Sequence, residues 1–182
     1  MNPHCITRRA TLCAALVATA AIAAPAHAQA SFPNGRPITL VVGFPAGGSA
    51  DMIARTIAEP LGKRLGAPVV IENISGAGGT IAGQKVVNAA PDGHTLFMAS
   101  GSEIVIAGLF NPAIRYQGER DFTAIGAIGD VPLVLVASPA SGLKSMPDLL
   151  ARARKDAGAL SYASSGVGTV LHVAGEMLNQ KA

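Results

Sequence analysis

The stretch Ile38-Thr39-Leu40-Val41-Val42-Gly43-Phe44-Pro45-Ala46-Gly47-Gly48-Ser49-Ala50-Asp51 contains a glycine-rich turn. The turn lies between an apolar run and a segment with helical periodicity. The apolar run 38–43 predicts a buried strand. The segment 52–65 predicts a helix, because apolar residues recur every four positions along it. Pro60 lies inside that pattern and predicts a kink or break near Glu59. A turn of this kind aims backbone N–H groups at the positive end of a helix, where anions such as carboxylate or phosphate bind.

The same order of strand, turn and helix continues along the chain. A second strand is predicted at 68–72, and the loop 75–79 then precedes a helix that Thr80 can cap and that runs to about residue 89. A turn at 91–93 leads to a third short strand at 95–99. This alternation predicts an α/β fold with a parallel sheet.

The second half of the chain is expected to contribute to another sheet. Apolar runs predict strands at 122–128, 131–137 and 160–163. Ser145 can cap a helix over 146–156, and a last helix is predicted from 170 to 180. The resulting division is a signal peptide at 1–28, a first α/β domain at 29–100, a crossover connector at 101–121 and an incomplete second α/β domain at 122–182.

The first 28 residues predict a secretory signal peptide. Arg8 and Arg9 form a basic n-region, residues 12–26 are apolar, and Ala26-His27-Ala28 fits the small-residue cleavage pattern. A membrane anchor is the alternative, but the apolar run is short for a spanning helix, which needs about 20 residues. We therefore expect a periplasmic protein cleaved near Ala28. Both the general secretory route and the twin-arginine route stay open.

Composition excludes several classes of function for the mature chain. Cleavage would remove both cysteines, and with them any disulfide, thiolate metal site or cysteine nucleophile. The formal net charge of +3 would fall by the two charges of Arg8 and Arg9, which is too balanced for a nucleic-acid binder. His94 and His172 would remain, too scattered for a metal site. No metal and no cofactor is expected.

The loop 46–51 supplies the first candidate binding residues. Gly47 and Gly48 let a ligand approach the backbone, and Ser49 can add a hydroxyl donor. The alternative is a tight turn in which Ser49 only caps the helix. Asp51 is expected to accept loop N–H groups and hold the turn, with contact to a ligand ammonium group as the second possibility.

A second glycine-rich turn, Ser164-Ser165-Gly166-Val167-Gly168-Thr169, again precedes a predicted helix. Ser165, Gly166, Gly168 and Thr169 are candidate ligand contacts. The turn matches neither a phosphate-binding Gly-x-x-x-x-Gly-Lys-Ser/Thr loop nor a Gly-x-Ser-x-Gly nucleophile elbow, and the loop 76–83 lacks the dinucleotide spacing. His172 is expected to be a neutral packing or hydrogen-bonding residue. No catalytic constellation is visible, so the protein is not expected to be an enzyme.

A third group of candidates follows the third predicted strand. Ser100, Ser102 and Glu103 would lie at the carboxyl end of that strand, the edge where ligands bind in open α/β sheets. The alternative for Glu103 is an ordinary acid in the first turn of a helix. If its charge faces the pocket, it would repel a dicarboxylate and favour a ligand with a cationic or neutral end.

The motifs taken together resemble the solute receptors of tripartite tricarboxylate transporters, the Bug family. The resemblance is carried by the stretch 37–51, by 70–73, 76–79 and 90–96, by 121–123 and 160–169, and by His172, Ala174, Gly175 and Glu176. It implies a periplasmic two-domain Venus-flytrap protein that binds a small carboxylate or an amino-acid-like solute and delivers it to membrane permease subunits. It also implies that the loops 46–49 and 165–169, Ala46 included, face each other across the cleft. A monomer is expected.

Three departures from the family pattern are visible. The chain is about half as long as expected for two complete domains, Asn73-Ile74-Ser75 replaces the more usual Asn-Arg-Pro, and Glu103 adds a carboxylate near the pocket. Two alternatives therefore stand beside the receptor: an exported α/β enzyme that uses the glycine-rich loops, and a truncated receptor without function.

Overall fold

The computed structural model describes residues 32–156, 158 and 160–181, and the predicted signal peptide at 1–28 lies outside them. Three strands form one sheet: β1 (Ile38–Val42), β2 (Val69–Asn73) and β3 (Thr95–Met98). The strand order is β2-β1-β3 and both pairings are parallel. The predicted parallel sheet is therefore confirmed.

Two helices connect these strands. α1 (Ser49–Leu65) leads from β1 to β2, and α2 (Thr80–Val87) leads from β2 to β3. α1 continues through Pro60, so the helix does not end at Glu59. Proline removes only one backbone N–H, and at this exposed position water can serve the carbonyl group that loses its partner.

Glycines, rather than the predicted hydroxyl residues, occupy the N-cap positions of both helices. Gly48 precedes α1 and Gly79 precedes α2. Thr80 is instead the first helical residue, and its hydroxyl donates to the Ala77 carbonyl (2.9 Å). The helix starts one residue earlier than a Thr80 cap would place it, because Gly79 takes the left-handed backbone (φ 91°) that the turn needs and occupies the N-cap itself.

The core lies between β1 and α1. Leu40, Val42 and Ala54 are buried together, and partly buried residues of α1, β2 and β3 surround them. Ile38 and Val41 of β1 are also fully buried. Burial of such a side chain stabilises the fold by about 1.5–3 kcal/mol. The central strand β1 is therefore buried along most of its length. Its carboxyl end holds the start of the following loop in a fixed position.

The chain after β3 is helical in short segments. A π-helical turn (Ser102–Ile106) runs into α3 (Ala107–Phe110), and α4 (Gly118–Asp121) follows. A 3-10 turn (Pro139–Ser141) precedes α5 (Met146–Lys155), and α6 (Val170–Lys181) is the last element described. Ser145 caps α5 through its hydroxyl, which accepts the Asp148 N–H (3.3 Å), so that predicted cap is confirmed.

The prediction of strands in the second half of the chain is wrong for the residues that the structure describes. Residues 122–128, 131–137 and 160–163 form no strand there. Apolar side chains in the first two runs face solvent, with Ile125 82% and Val136 81% exposed. An apolar run becomes a strand only when a neighbour completes its hydrogen-bond ladder, and no described segment pairs with these runs.

Candidate functional site

Asp51 holds the loop between β1 and α1 in shape. Its Oδ2 accepts hydrogen bonds from the Gly47 N–H (2.8 Å) and from Arg55 Nε (2.8 Å), and its Oδ1 accepts one from the Asn73 amide (3.1 Å). Asn73 also donates to the Phe44 carbonyl (3.1 Å). One carboxylate thus ties the loop to its own helix and to the neighbouring strand, in agreement with the structural role predicted for Asp51.

The same contacts fix the charge of Asp51. The hydrogen bond from Arg55 and then the Gly47 N–H lower the pKa of Asp51 to about 2, against the opposing effect of burial. Asp51 is therefore ionised at neutral pH, and both of its oxygens already bind protein donors.

The first turn of α1 lies directly after this loop. The Met52 N–H donates to the Gly48 carbonyl (2.9 Å), so the N–H groups of Ser49 and Ala50 come before the helical ladder. Ser49 and the loop residues 46–47 are exposed. The end of the helix that favours negative charge is therefore open to a small anion from solvent.

Glu103 is buried at the carboxyl end of the sheet, with 1% of its surface exposed. Its Oε2 accepts hydrogen bonds from the N–H (2.9 Å) and the hydroxyl (2.6 Å) of Ser100. The Tyr116 hydroxyl donates to the backbone carbonyl of Glu103 (3.0 Å). Burial raises the pKa of Glu103, and the Ser100 hydrogen bonds oppose that rise. Glu103 does lie in the first turn of its helix, as the alternative supposed, but unlike most first-turn acids it is buried.

Two glycines, Gly43 and Gly79, make room for the Glu103 side chain and are called the glycine notch below. A Cβ built on Gly79 would lie 2.7 Å from Glu103 Cγ and 2.8 Å from its Oε1. A Cβ built on Gly43 would lie 2.8 Å from Gly79 Cα and 3.3 Å from Oε1. A side chain at either position would therefore displace Glu103 or the turn.

The polar groups of the second glycine-rich turn form hydrogen bonds with one another and with His172. Thr169 is fully buried, its hydroxyl donates to the Gly166 carbonyl (2.7 Å), and it accepts from the Ser165 hydroxyl (3.1 Å). The Gly168 N–H donates to Nδ1 of His172 (3.3 Å), as expected for a hydrogen-bonding histidine. The donors of Gly168 and Thr169 are therefore used inside the turn.

The second turn lies beside the residues that follow β3 and beside the turn before α2. The Val170 N–H, at the start of α6, donates to the Ser102 hydroxyl (3.1 Å). A Cβ built on Gly78 would lie 3.3 Å from Thr169 Cγ2. The structure thus brings Ser102, one of the candidate binding residues after β3, close to Thr169. The Ser102 hydroxyl accepts one of the N–H groups at the N-terminus of α6, that of Val170.

The two glycine-rich loops are not joined directly. Within residues 32–156 and 160–181, no hydrogen bond links the loop 46–49 to the turn 165–169. That they face each other across a cleft stays a prediction, and so do the ligand-binding roles of the candidate residues.

Three residues that matter here escaped the sequence-based prediction: Arg55, Asn73 and Tyr116. Arg55 carried a usable signal, because a cation four residues after an acid on a helix pairs with it. Asn73 lay in the motif 70–73 but without an assigned role, and Tyr116 carried no signal, since the partners of both residues are distant in the chain.

Two negative findings apply to the described part of the chain. It contains no group of three or more histidine, cysteine, aspartate or glutamate residues that could hold a metal ion. It also contains no helix with the length and apolar character that crossing a membrane requires.

Comparison with protein families gives one family match. Residues 53–182 match the model described as "Tripartite tricarboxylate transporter family receptor". Protein BugT of Bordetella pertussis is 39% identical over 173 residues, which cover 94% of this chain and 52% of that protein. A UPF0065 protein encoded in the tcbD-tcbE intergenic region of Pseudomonas sp. is 38% identical, with 97% of this chain and 52% of that protein covered. The chain spans about half the length of the curated relatives it matches.

Solved structures of similar sequence also match this chain over about half of their own length. MatC from Rhodopseudomonas palustris, with bound malate, superposes with a TM-score of 0.73 at 34% identity, covering 80% of this chain and 49% of that one. R. palustris Rpa4515, with adipate, gives a TM-score of 0.68 at 30% identity, covering 81% and 49%. The periplasmic binding protein BugD gives 0.65 at 32% identity, covering 80% and 48%. The predicted fold class is confirmed, and these relatives are receptors rather than enzymes.

Proposed function

This chain belongs to the tripartite tricarboxylate transporter receptor family, and on that premise we propose that it is an extracytoplasmic receptor that captures a small carboxylate or an amino-acid-like solute. The malate in MatC and the adipate in Rpa4515 support a carboxylate as the ligand class. By the same family role, the receptor delivers its solute to the permease subunits of the transporter. The protein acts in the periplasm after cleavage near Ala28, and as a monomer.

The observation that carries this proposal is the open first turn of α1. Asp51 takes the Gly47 N–H and so fixes the loop, while the N–H groups of Ser49 and Ala50 precede the helical ladder and Ser49 is exposed. A solute carboxylate can accept these N–H groups and gain from the positive end of a 17-residue helix.

The groups after β3 form the second part of the proposed site. Ser100, Ser102 and Glu103 lie at the carboxyl end of the sheet, where ligands of open α/β folds bind. Ser102 contacts the start of α6, next to the turn 165–169. We assign the turn a supporting role in shaping this side of the site, because its buried hydroxyl of Thr169 is already paired.

Isothermal titration calorimetry with malate, adipate and aspartate tests the proposal. Ser49→Pro removes one first-turn N–H, and the extended backbone of Gly48 (φ −73°, ψ 169°) is compatible with a following proline. We expect Ser49→Pro to weaken binding about tenfold or more, the loss of one charge-assisted hydrogen bond. Ser49→Ala keeps the N–H and serves as the matched control, with a change of about threefold or less.

The outcomes separate the ligand class from the site. If none of the three solutes binds the unaltered protein, the proposed ligand class is wrong. If a solute binds and Ser49→Pro leaves its affinity unchanged, the first turn of α1 is not the anion site.

A further inference from the structure

One oxygen of Glu103 has no partner. Oε1 is buried and accepts no hydrogen bond, whereas Oε2 is held by two bonds from Ser100. A buried carboxylate oxygen without a donor is costly, and more so when the group is charged. The side chain therefore sits where an ionised carboxylate is poorly accommodated.

The surroundings of Oε1 offer no compensating charge. Facing it are the backbone carbons of the glycine notch, Gly43 from the end of β1 and Gly79 from the turn before α2. Ser100 faces the other oxygen, and the Tyr116 phenol, the titratable group among these neighbours, donates to the Glu103 backbone carbonyl. None of these four neighbours is a cation. Burial raises the pKa of both Glu103 and Tyr116, and each shift favours the neutral form.

Glu103, which belongs to the second part of the proposed site, also lies next to Gly43 at the end of β1. Gly43 immediately precedes the loop that leads to α1. Ser102, next in sequence to Glu103, binds the start of α6, and Gly78 beside Gly79 packs on Thr169. A negative charge on Glu103 would act on a bound anion through protein rather than through water, where repulsion is strong.

We propose that Glu103 is a proton-carrying positioning residue of the binding site, neutral while a carboxylate solute is bound, and that its ionisation weakens the binding of that solute. The proposal rests on the proposed function. It replaces the expectation that Glu103 repels a dicarboxylate, because a neutral acid leaves an anionic ligand unopposed. The solute class is then a full carboxylate anion, and its binding is coupled to retention or uptake of one proton.

The sign of the pH dependence follows directly. In the free protein, rising pH ionises Glu103, and a carboxylate must then bind together with a proton. Above the Glu103 midpoint, affinity should fall by about tenfold per pH unit. Glu103→Gln keeps the shape, stays neutral at every pH and should remove this dependence. The matched control is Glu119→Gln, an exposed glutamate on α4.

Calorimetry with malate from neutral pH to the highest pH at which the protein stays folded, in buffers of different ionisation enthalpy, measures affinity and proton uptake together. The expected result is falling affinity with uptake approaching one proton for the unaltered protein and for Glu119→Gln, and flat affinity without uptake for Glu103→Gln. Binding that is independent of pH in the unaltered protein, or a pH dependence that survives in Glu103→Gln, overturns the proposal.

A measurement without ligand keeps the proposal separate from the proposed function. Because burial raises the folded pKa of Glu103 above its ordinary value of 4.5, the free energy of unfolding should fall as pH rises from that value through the folded pKa. Glu103→Gln should lack this fall. If malate, adipate and aspartate all fail to bind but the fall is present in the unaltered protein only, the proposed ligand class fails and the neutral Glu103 stands. If both proteins show the same profile, the neutral Glu103 is wrong.

Discussion

Gly79→Ala is expected to destabilise the protein by about 2–5 kcal/mol. One part of this is the left-handed backbone of Gly79 (φ 91°), which an alanine adopts at a cost of about 1–2 kcal/mol. The other part is overpacking, about 1–3 kcal/mol, because the new Cβ would lie 2.7 Å from Glu103 Cγ and 2.8 Å from Oε1. Glu103 cannot swing aside freely, since Ser100 holds its other oxygen with two hydrogen bonds.

A second glycine separates the two contributions. Gly66, the C-cap of α1, also has a left-handed backbone (φ 68°), but a Cβ there would meet nothing within 4 Å. Gly66→Ala should therefore show only the backbone part, about 1–2 kcal/mol. Urea denaturation followed by circular dichroism gives both free energies of unfolding. Their difference is the packing part.

A double-mutant cycle tests the cause assigned to that difference. In a Glu103→Ala background the crowded side chain is gone, so Gly79→Ala should lose its packing part and approach Gly66→Ala, with a coupling of about 1–3 kcal/mol. Equal effects of Gly79→Ala and Gly66→Ala in the unaltered protein would refute the crowding argument. So would a Gly79→Ala penalty that stays the same in the Glu103→Ala background.

Three further predictions concern neighbouring contacts. Because the folded pKa of Asp51 is lowered to about 2 from 3.8, its contribution to stability is present above pH 3.8 and is lost as pH falls through 2; acid titration of Asp51→Asn should lack this loss. Ser102→Ala leaves the Val170 N–H without its acceptor, so thermal or urea unfolding should show a loss of about 1–2 kcal/mol. Tyr116→Phe removes the hydroxyl that donates to the Glu103 carbonyl and should lower the free energy of unfolding by about 1–3 kcal/mol; no loss would mean that water replaces the hydroxyl.

The first half of the fold was predictable because its signals are local. The apolar run of β1 and the four-residue spacing in α1 lie within the elements they predict. Ser145 caps α5 by a hydrogen bond to a residue three positions away, which is also local. The runs 122–128 and 131–137 failed because a strand depends on a partner, and an apolar run does not specify one.

In the candidate site, too, contacts between residues close in sequence were predictable and contacts between distant residues were not. Asp51 was assigned its structural role correctly because the loop N–H group that it accepts, that of Gly47, lies only four residues away. The burial of Glu103 was not predictable, since the glycine notch comes from two loops that are far away in the chain. Glycine spacing indicated where backbone could approach a ligand but not that two glycines would enclose a side chain.

The central position of β1 has a consequence for how the molecule is made. β1 pairs with β2 on one side and β3 on the other, and Thr39 lies opposite both Val70 and Thr95. During synthesis from the N-terminus, the most apolar strand therefore emerges first and waits for both partners. Parallel pairing over such separations closes slowly, and exposed strands of this kind aggregate. Until β2 and β3 follow, the segment Ile38–Val42 is therefore the stretch of this sheet most exposed to aggregation.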